Sequence, residues 1–208
     1  MLNNAAARNA IRGGIEPPAR LLIRLGVSPD AVTVFGTAGA VVVSVTCLTT
    51  GRFLLAVVLL VILAMSDLLD GTMARLTGTS GPWGNFLDAT MDRIADGAIF
   101  GSIAVWGALN SNYWVMAGAI TALVTGQVTS YAKARAEAVG ATANVGIAER
   151  AERLIILGIA VLLTGFGVPV ILAIAVWVIA ILGVVTIIQR MVVVRRQLRP
   201  SIDGGASA

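Results

Sequence analysis

The sequence has no histidine, a single cysteine and only 12% charged residues. Each shortage excludes something. Without imidazole there is no histidine-built zinc site, and a general base must come from Asp, Glu, Lys, Tyr or the one Cys. A lone cysteine forms no intrachain disulfide, and Cys47 lies in an apolar run where it reads as a small buried side chain. So little charge cannot cover a soluble domain of 208 residues. With 57% hydrophobic residues and a mean hydropathy of +0.90, the chain reads as an integral membrane protein. No soluble domain remains to carry nucleic acid, so the net charge of +4 is read as a basic face for anionic lipids and phosphorylated substrates. The N-terminus does not have the pattern of a cleaved signal, because the first long apolar run begins only after Pro29.

What is present is a series of apolar runs. A span needs roughly 20 apolar residues, and six segments qualify: Asp30–Thr49, Arg52–Leu76, Trp83–Leu109, Tyr113–Val139, Ala148–Phe166 and Pro169–Arg196. Short turn-like connections such as "TTGR" and "NSN" separate them, and the 23 glycines suit closely packed membrane helices. The expected fold is all-α and integral to the membrane. Six transmembrane helices form a domain over residues 30–196, after a juxtamembrane segment, 1–29, and before a short cytoplasmic tail, 197–208. In the first segment Arg8, Arg12, Glu16, Arg20 and Arg24 recur every four residues, while Ile11, Ile15, Leu22 and Leu25 take another face. This predicts an amphipathic helix in the membrane interface, interrupted at Pro17-Pro18. Under six spans, Arg52 alone among the 15 Lys and Arg residues falls on the far side. The positive-inside rule then places both termini and the acidic segment below in the cytoplasm, with the protein in the cell membrane.

That segment, "SDLLDGTMARLTGTSGPWGNFLDATMDRIADG", gathers Asp67, Asp70, Asp88, Asp92 and Asp96. Ionisable groups in membrane helices are costly and mark functional sites. Asp67 and Asp70 are three apart and Asp88 and Asp92 four apart, so each pair shares one helix face. Small neighbours, Gly71, Ala74, Gly84 and Ala89, let two helices approach. Four converging carboxylates cannot all stay ionised without cations, and all-oxygen ligands suit Mg²⁺ or Mn²⁺. Helix capping or pairing with Arg75 and Arg93 would explain one or two of these aspartates, not four at this spacing.

The same residues fit the pattern D-x2-D-G-x2-A-R-x8-G-x3-D-x3-D at Asp67, Asp70, Gly71, Ala74, Arg75, Gly84, Asp88 and Asp92. In this the chain resembles the CDP-alcohol phosphotransferase family. The resemblance implies a six-helix membrane fold, a site with two divalent ions, and a homodimer. It also implies a reaction in which CDP-diacylglycerol gives its phosphatidyl group to an alcohol and CMP leaves. It makes Asp67, Asp70 and Asp88 metal ligands, with Asp92 both a second-metal ligand and the catalytic base; elimination of histidine also points to a carboxylate base. It sets Gly71, Ala74, Arg75, Ser80, Gly81 and Gly84 against the nucleotide and diphosphate. Asp30 and Thr33, in "SPDAVT", border the cytidine pocket by the same resemblance, although Ser28 or Asp30 would equally serve as a helix cap. Asp96 lies outside the pattern, and its role stays open. Gly97 and Gly101 form a G-x-x-x-G, which packs helices within a subunit or between two.

The general pattern does not fix the acceptor. "QVTSYAKARAEAVG", "IAERAERLII" and "IIQRMVVVRR" resemble one subgroup, the actinobacterial phosphatidylinositol phosphate synthases. That resemblance implies myo-inositol phosphate as acceptor, its phosphate held by Lys133, Arg153 and Arg190. Positive-inside cations snorkelling to headgroups are the alternative for these residues. Rival readings keep the chemistry with glycerol 3-phosphate, free inositol, serine or phosphatidylglycerol as acceptor, or replace it with a small cation transporter or a noncatalytic scaffold. Transporters tend to carry internal repeats and midplane sites; here no repeat is visible and the acids sit at one end of their spans.

Overall fold

The computed structural model describes residues 5–199, with side chains from Gly14 onward. Arg8, Ile11, Arg12 and the tail beyond residue 199 therefore lie outside the described side chains. All regular structure among the described residues is helical: α1 (Ala5–Arg24), α2 (Pro29–Val43) with a π-helical turn at Ser44–Leu48, α3 (Phe53–Ala64), α4 (Ser66–Thr77), α5 (Pro82–Leu109), α6 (Tyr113–Ala138), α7 (Arg150–Gly165) and α8 (Val170–Gln197). The six apolar segments are thus helical, close to the expected bounds. Three of them, Pro29–Leu48, Phe53–Thr77 and Val170–Gln197, are long and apolar enough to cross a membrane. The other three stand out less for plain reasons. α5 carries Asp88, Asp92, Arg93 and Asp96; the uncharged stretch of α6 is made less apolar by Gln127, Ser130 and its Thr and Gly residues; α7 has only 16 residues.

The chain forms two compact units, one ending at Ser102 and the other beginning at Ile103, both within α5. In the first unit α1 runs unbroken through Pro17 and Pro18, contrary to the expected interruption. Proline fits helical φ but removes two donors. Tertiary packing on the following turn compensates: Ala19 is fully buried in a cluster with Val32 of α2 and Met73 of α4, and Leu22 and Ile23 pack against it. The Glu16 carboxylate also accepts from Arg20, at 2.6 Å from Nη2, along the exposed face.

α2 and α4 approach closely because Gly36 faces Ser66; a Cβ there would collide with the serine hydroxyl. Between α3 and α4 the rod tightens at Met65, whose N–H bonds Ile62 O at 3.2 Å, while the Ser66 hydroxyl donates back to Leu63 O at 2.6 Å.

In the second unit α8 packs against α6 and α7 through small and branched residues, among them Val115, Ala119, Leu157, Ala160, Val176 and Ile179. The connection after α6 is tied to α8. The Gln197 amide pairs with both backbone groups of Thr142 at 2.8 Å, and the Thr186 hydroxyl accepts from Ala148 N at 3.4 Å.

Candidate active site

The acidic segment and the start of α2 enclose one cavity of about 300 Å³ in the first unit. Its walls contain Asp67, Asp70, Gly71, Ala74, Arg75, Gly84 and Asp88, every position of the sequence pattern but Asp92. Asp30, Thr33, Ser80 and Gly81, the residues expected near the nucleotide, line it as well. Sequence reasoning missed Pro29, Thr79, Asn85 and Leu87, which complete the wall. A signal existed for Asn85, which lies three residues before Asp88 on the same helix.

The residues at the start of α2 divide two tasks. The Ser28 hydroxyl caps the helix, accepting from Ala31 N at 3.2 Å, and Pro29 occupies the first turn without wasting a donor. Asp30 is thereby released from capping. Its Oδ2 accepts from the Trp83 indole N–H at 2.8 Å, joining the start of α2 to the start of α5 across the cavity's edge.

One turn on, the Thr33 hydroxyl donates to Asp70 Oδ2 at 2.5 Å. Asp70 is 8% exposed, so this bond offsets part of the cost of burying a carboxylate and fixes its orientation. Asp67 and Asp88 are exposed into the same cavity. Arg75 leans on Thr72 Oγ1 at 3.0 Å, so pairing with Arg75 does not account for the acids. Arg93 does meet two of them, Asp92 at 3.8 Å and the buried Asp96 at 3.6 Å.

Besides Asp30, which is taken up by Trp83, the cavity carries Asp67, Asp70 and Asp88, whose oxygen donors match the ligand preference of a hard divalent cation. Among the described residues no three acidic side chains are gathered tightly enough to hold an ion by themselves. A direct test is Thr33→Val, which keeps the side chain's volume and removes the hydroxyl that orients Asp70. Loss of such an orienting partner costs about 10–100-fold in metal affinity. Titration of activity against Mn²⁺ should shift by that factor; an unchanged midpoint would show that the bond does not orient a ligand.

The basic residues expected to hold an acceptor's phosphate belong to the second unit. Arg153 and Arg190 are 2% and 4% exposed. Arg190 donates to Thr129 O at 2.6 Å and Val145 O at 2.9 Å, with Glu149 3.8 Å away. The Arg153 guanidinium fills the place a Cβ on Gly126 would take, and its Nε donates to Glu149 O at 3.4 Å. Gly126, Thr129 and Lys133 recur at helical spacing, so both guanidinium groups lie along the face of α6 that also carries Lys133. Part of this cluster is structural: Arg190 ties the connection before α7 to α6, a duty not visible in its sequence context.

The model of the CDP-alcohol phosphatidyltransferase family matches residues 26–189, and the chain belongs to that family. It is 46% identical over 202 residues to the phosphatidylinositol phosphate synthase of Streptomyces avermitilis, covering 93% of this chain and 83% of that one. The Mycobacteroides abscessus protein of the same name is 43% identical over 197 residues, covering 91% and 90%. Among solved structures, Mycobacterium tuberculosis phosphatidylinositol phosphate synthase with CDP-DAG bound has a TM-score of 0.82 at 37% identity, covering 86% of this chain and 92% of that one. The same protein in complex with manganese and citrate gives 0.83 at 38% identity, covering 86% and 88%.

Proposed function

We propose that this chain transfers the phosphatidyl group of CDP-diacylglycerol to myo-inositol phosphate, forming phosphatidylinositol phosphate and releasing CMP. The observation that carries this reading is the cavity itself, where the family pattern and the start of α2 meet around four carboxylates, Asp30, Asp67, Asp70 and Asp88. Relatives of the same name over most of the chain support the acceptor.

The acceptor hydroxyl attacks the phosphorus that bears the diacylglycerol. The bond from that phosphorus to the oxygen of CMP breaks, and CMP leaves with that oxygen. Asp92 takes the hydroxyl proton. Asp30, Thr33, Gly71, Ala74, Arg75, Ser80, Gly81 and Gly84 bind the nucleotide and diphosphate, the small residues admitting them close to the backbone. Asp67, Asp70, Asp88 and Asp92 would hold the divalent ions, two of Mg²⁺ or Mn²⁺, and the manganese-bound relative supports that class of cation. When bound, these ions offset charge on the diphosphate and on the entering and leaving oxygens.

Lys133, Arg153 and Arg190 hold the acceptor's phosphate, since an acidic site repels a phosphate dianion unless separate cations receive it. Six spans over residues 30–196, the interfacial α1, a homodimer and a cytoplasmic-facing site in the cell membrane complete the reading, supported by the one-sided distribution of Lys and Arg.

The test is an acceptor panel with purified protein, CDP-diacylglycerol and Mg²⁺, following CMP release. Inositol phosphate should be used and free inositol hardly at all. Arg153→Ala should raise the acceptor KM about tenfold or more, as expected for a charge-assisted contact, with the KM for CDP-diacylglycerol nearly unchanged. Faster transfer to glycerol 3-phosphate or free inositol would sink the acceptor and spare the reaction class. Absence of CMP release with every acceptor would sink both.

A further inference from the structure

We propose that the groove between the C-terminal halves of α6 and α8 is a binding site for one anionic phospholipid, separate from the lipid that reacts. The two helices end together, since Ala136 of α6 shares a buried cluster with Ala141 and Ala143, and Val194 of α8 packs against it. Between them lies a groove of about 650 Å³. Val128 and Ala132 form one wall and Ile188 and Met191 the other, with Val128, Ile188 and Met191 exposed. Ala132 lends depth, as small residues do between membrane helices. One turn further along each helix stand Arg135 and Arg195, both exposed and both lining the same groove.

Two features separate this groove from an ordinary lipid-facing surface. No acidic side chain lines it. The guanidinium groups of Arg135 and Arg195 make no hydrogen bond or ion pair with any described residue, whereas that of Arg190, which also lines the groove, bonds Thr129 O and Val145 O. An apolar trough that ends in two uncommitted guanidinium groups has the polarity of a phospholipid: acyl chain along the helices, phosphate at the arginines. α8 is long and apolar enough to cross a membrane, which puts such a lipid at hand. A second copy of this chain is the poorer occupant, because a symmetric contact would set each Arg135 and Arg195 against basic equivalents. The site depends on the membrane reading and not on the identity of the acceptor.

The experiment is native mass spectrometry of the full chain in a neutral detergent, titrated with dioleoylphosphatidylglycerol or dioleoylphosphatidylcholine. One phosphatidylglycerol should be retained about 30-fold more tightly than phosphatidylcholine, the factor expected from two cation contacts near a membrane surface. Arg135→Gln with Arg195→Gln should abolish the preference. Arg196→Gln with Arg199→Gln removes the same charge outside the groove and should preserve it. Ala132→Trp, which fills the trough, should weaken both lipids. Equal retention of the two lipids, or equal loss in the two double variants, would overturn the proposal. So would a photoreactive phosphatidylglycerol that labels outside residues 128–139 and 187–195, or lipid-free dimers crosslinked through Met191→Cys.

Discussion

Asp88→Asn protein should insert, fold and bind detergent like the parent, and should release CMP about a thousandfold more slowly. Asp67→Asn and Asp70→Asn should behave alike. A neutral amide of the same shape cannot replace an anionic ligand to a hard cation, and the transition-state stabilisation at stake is several kcal/mol. The structure makes Asp70→Asn an especially clean test. An Asn oxygen can still accept from the Thr33 hydroxyl at its present position 2.5 Å away, so the local packing survives and only charge is removed. The readouts are CMP release and its dependence on Mg²⁺. Substantial turnover in Asp88→Asn with unchanged metal dependence would falsify a shared metal site.

Asp92→Asn should separate base from ligand. Asp92 is half-buried on α5 and does not line the cavity proposed for the nucleotide, whereas Asp67 does. Its removal should therefore lower turnover by about 10²–10⁴-fold, the range for a general base, with affinity for CDP-diacylglycerol largely retained. Asp67→Asn should lose both. Binding of the donor measured beside single-turnover rates gives the comparison, and equal loss of binding in the two variants would leave Asp92 no distinct role. Arg93, 3.8 Å from Asp92 and 3.6 Å from Asp96, links the fourth aspartate of the pattern to a fifth outside it. It places Asp96 as a buried partner of that arginine, at the i, i+3 spacing of one helix.

Much of the candidate site is legible in the sequence because its pattern is locally encoded. Gaps of three and four put each carboxylate pair on one helix face, the shortage of charge implied lipid, and the absence of histidine directed attention to Asp. Those are properties of a few consecutive turns, and periodicity reports them. The helix through Pro17-Pro18 shows where local signals mislead: proline's lost donors argued for a break, but burial of Ala19 against Val32 and Met73 holds the turn in place.

The long-range partners of the charged groups belong to the tertiary structure alone. Thr33 reaches Asp70 across 37 residues, Trp83 reaches Asp30 across 53, and Arg190 reaches the carbonyl of Thr129 across 61. Each bond depends on which turns of two helices come level, and that level is set by contacts such as Gly36 on Ser66. Composition and spacing by themselves determined an all-helical chain of apolar segments carrying an acidic pattern. The tertiary structure alone decided which carboxylate is buried and oriented and which arginines are committed to backbone carbonyls. A hydrogen bond needs its partners within about 3 Å, and no periodicity along one chain segment specifies that distance to another.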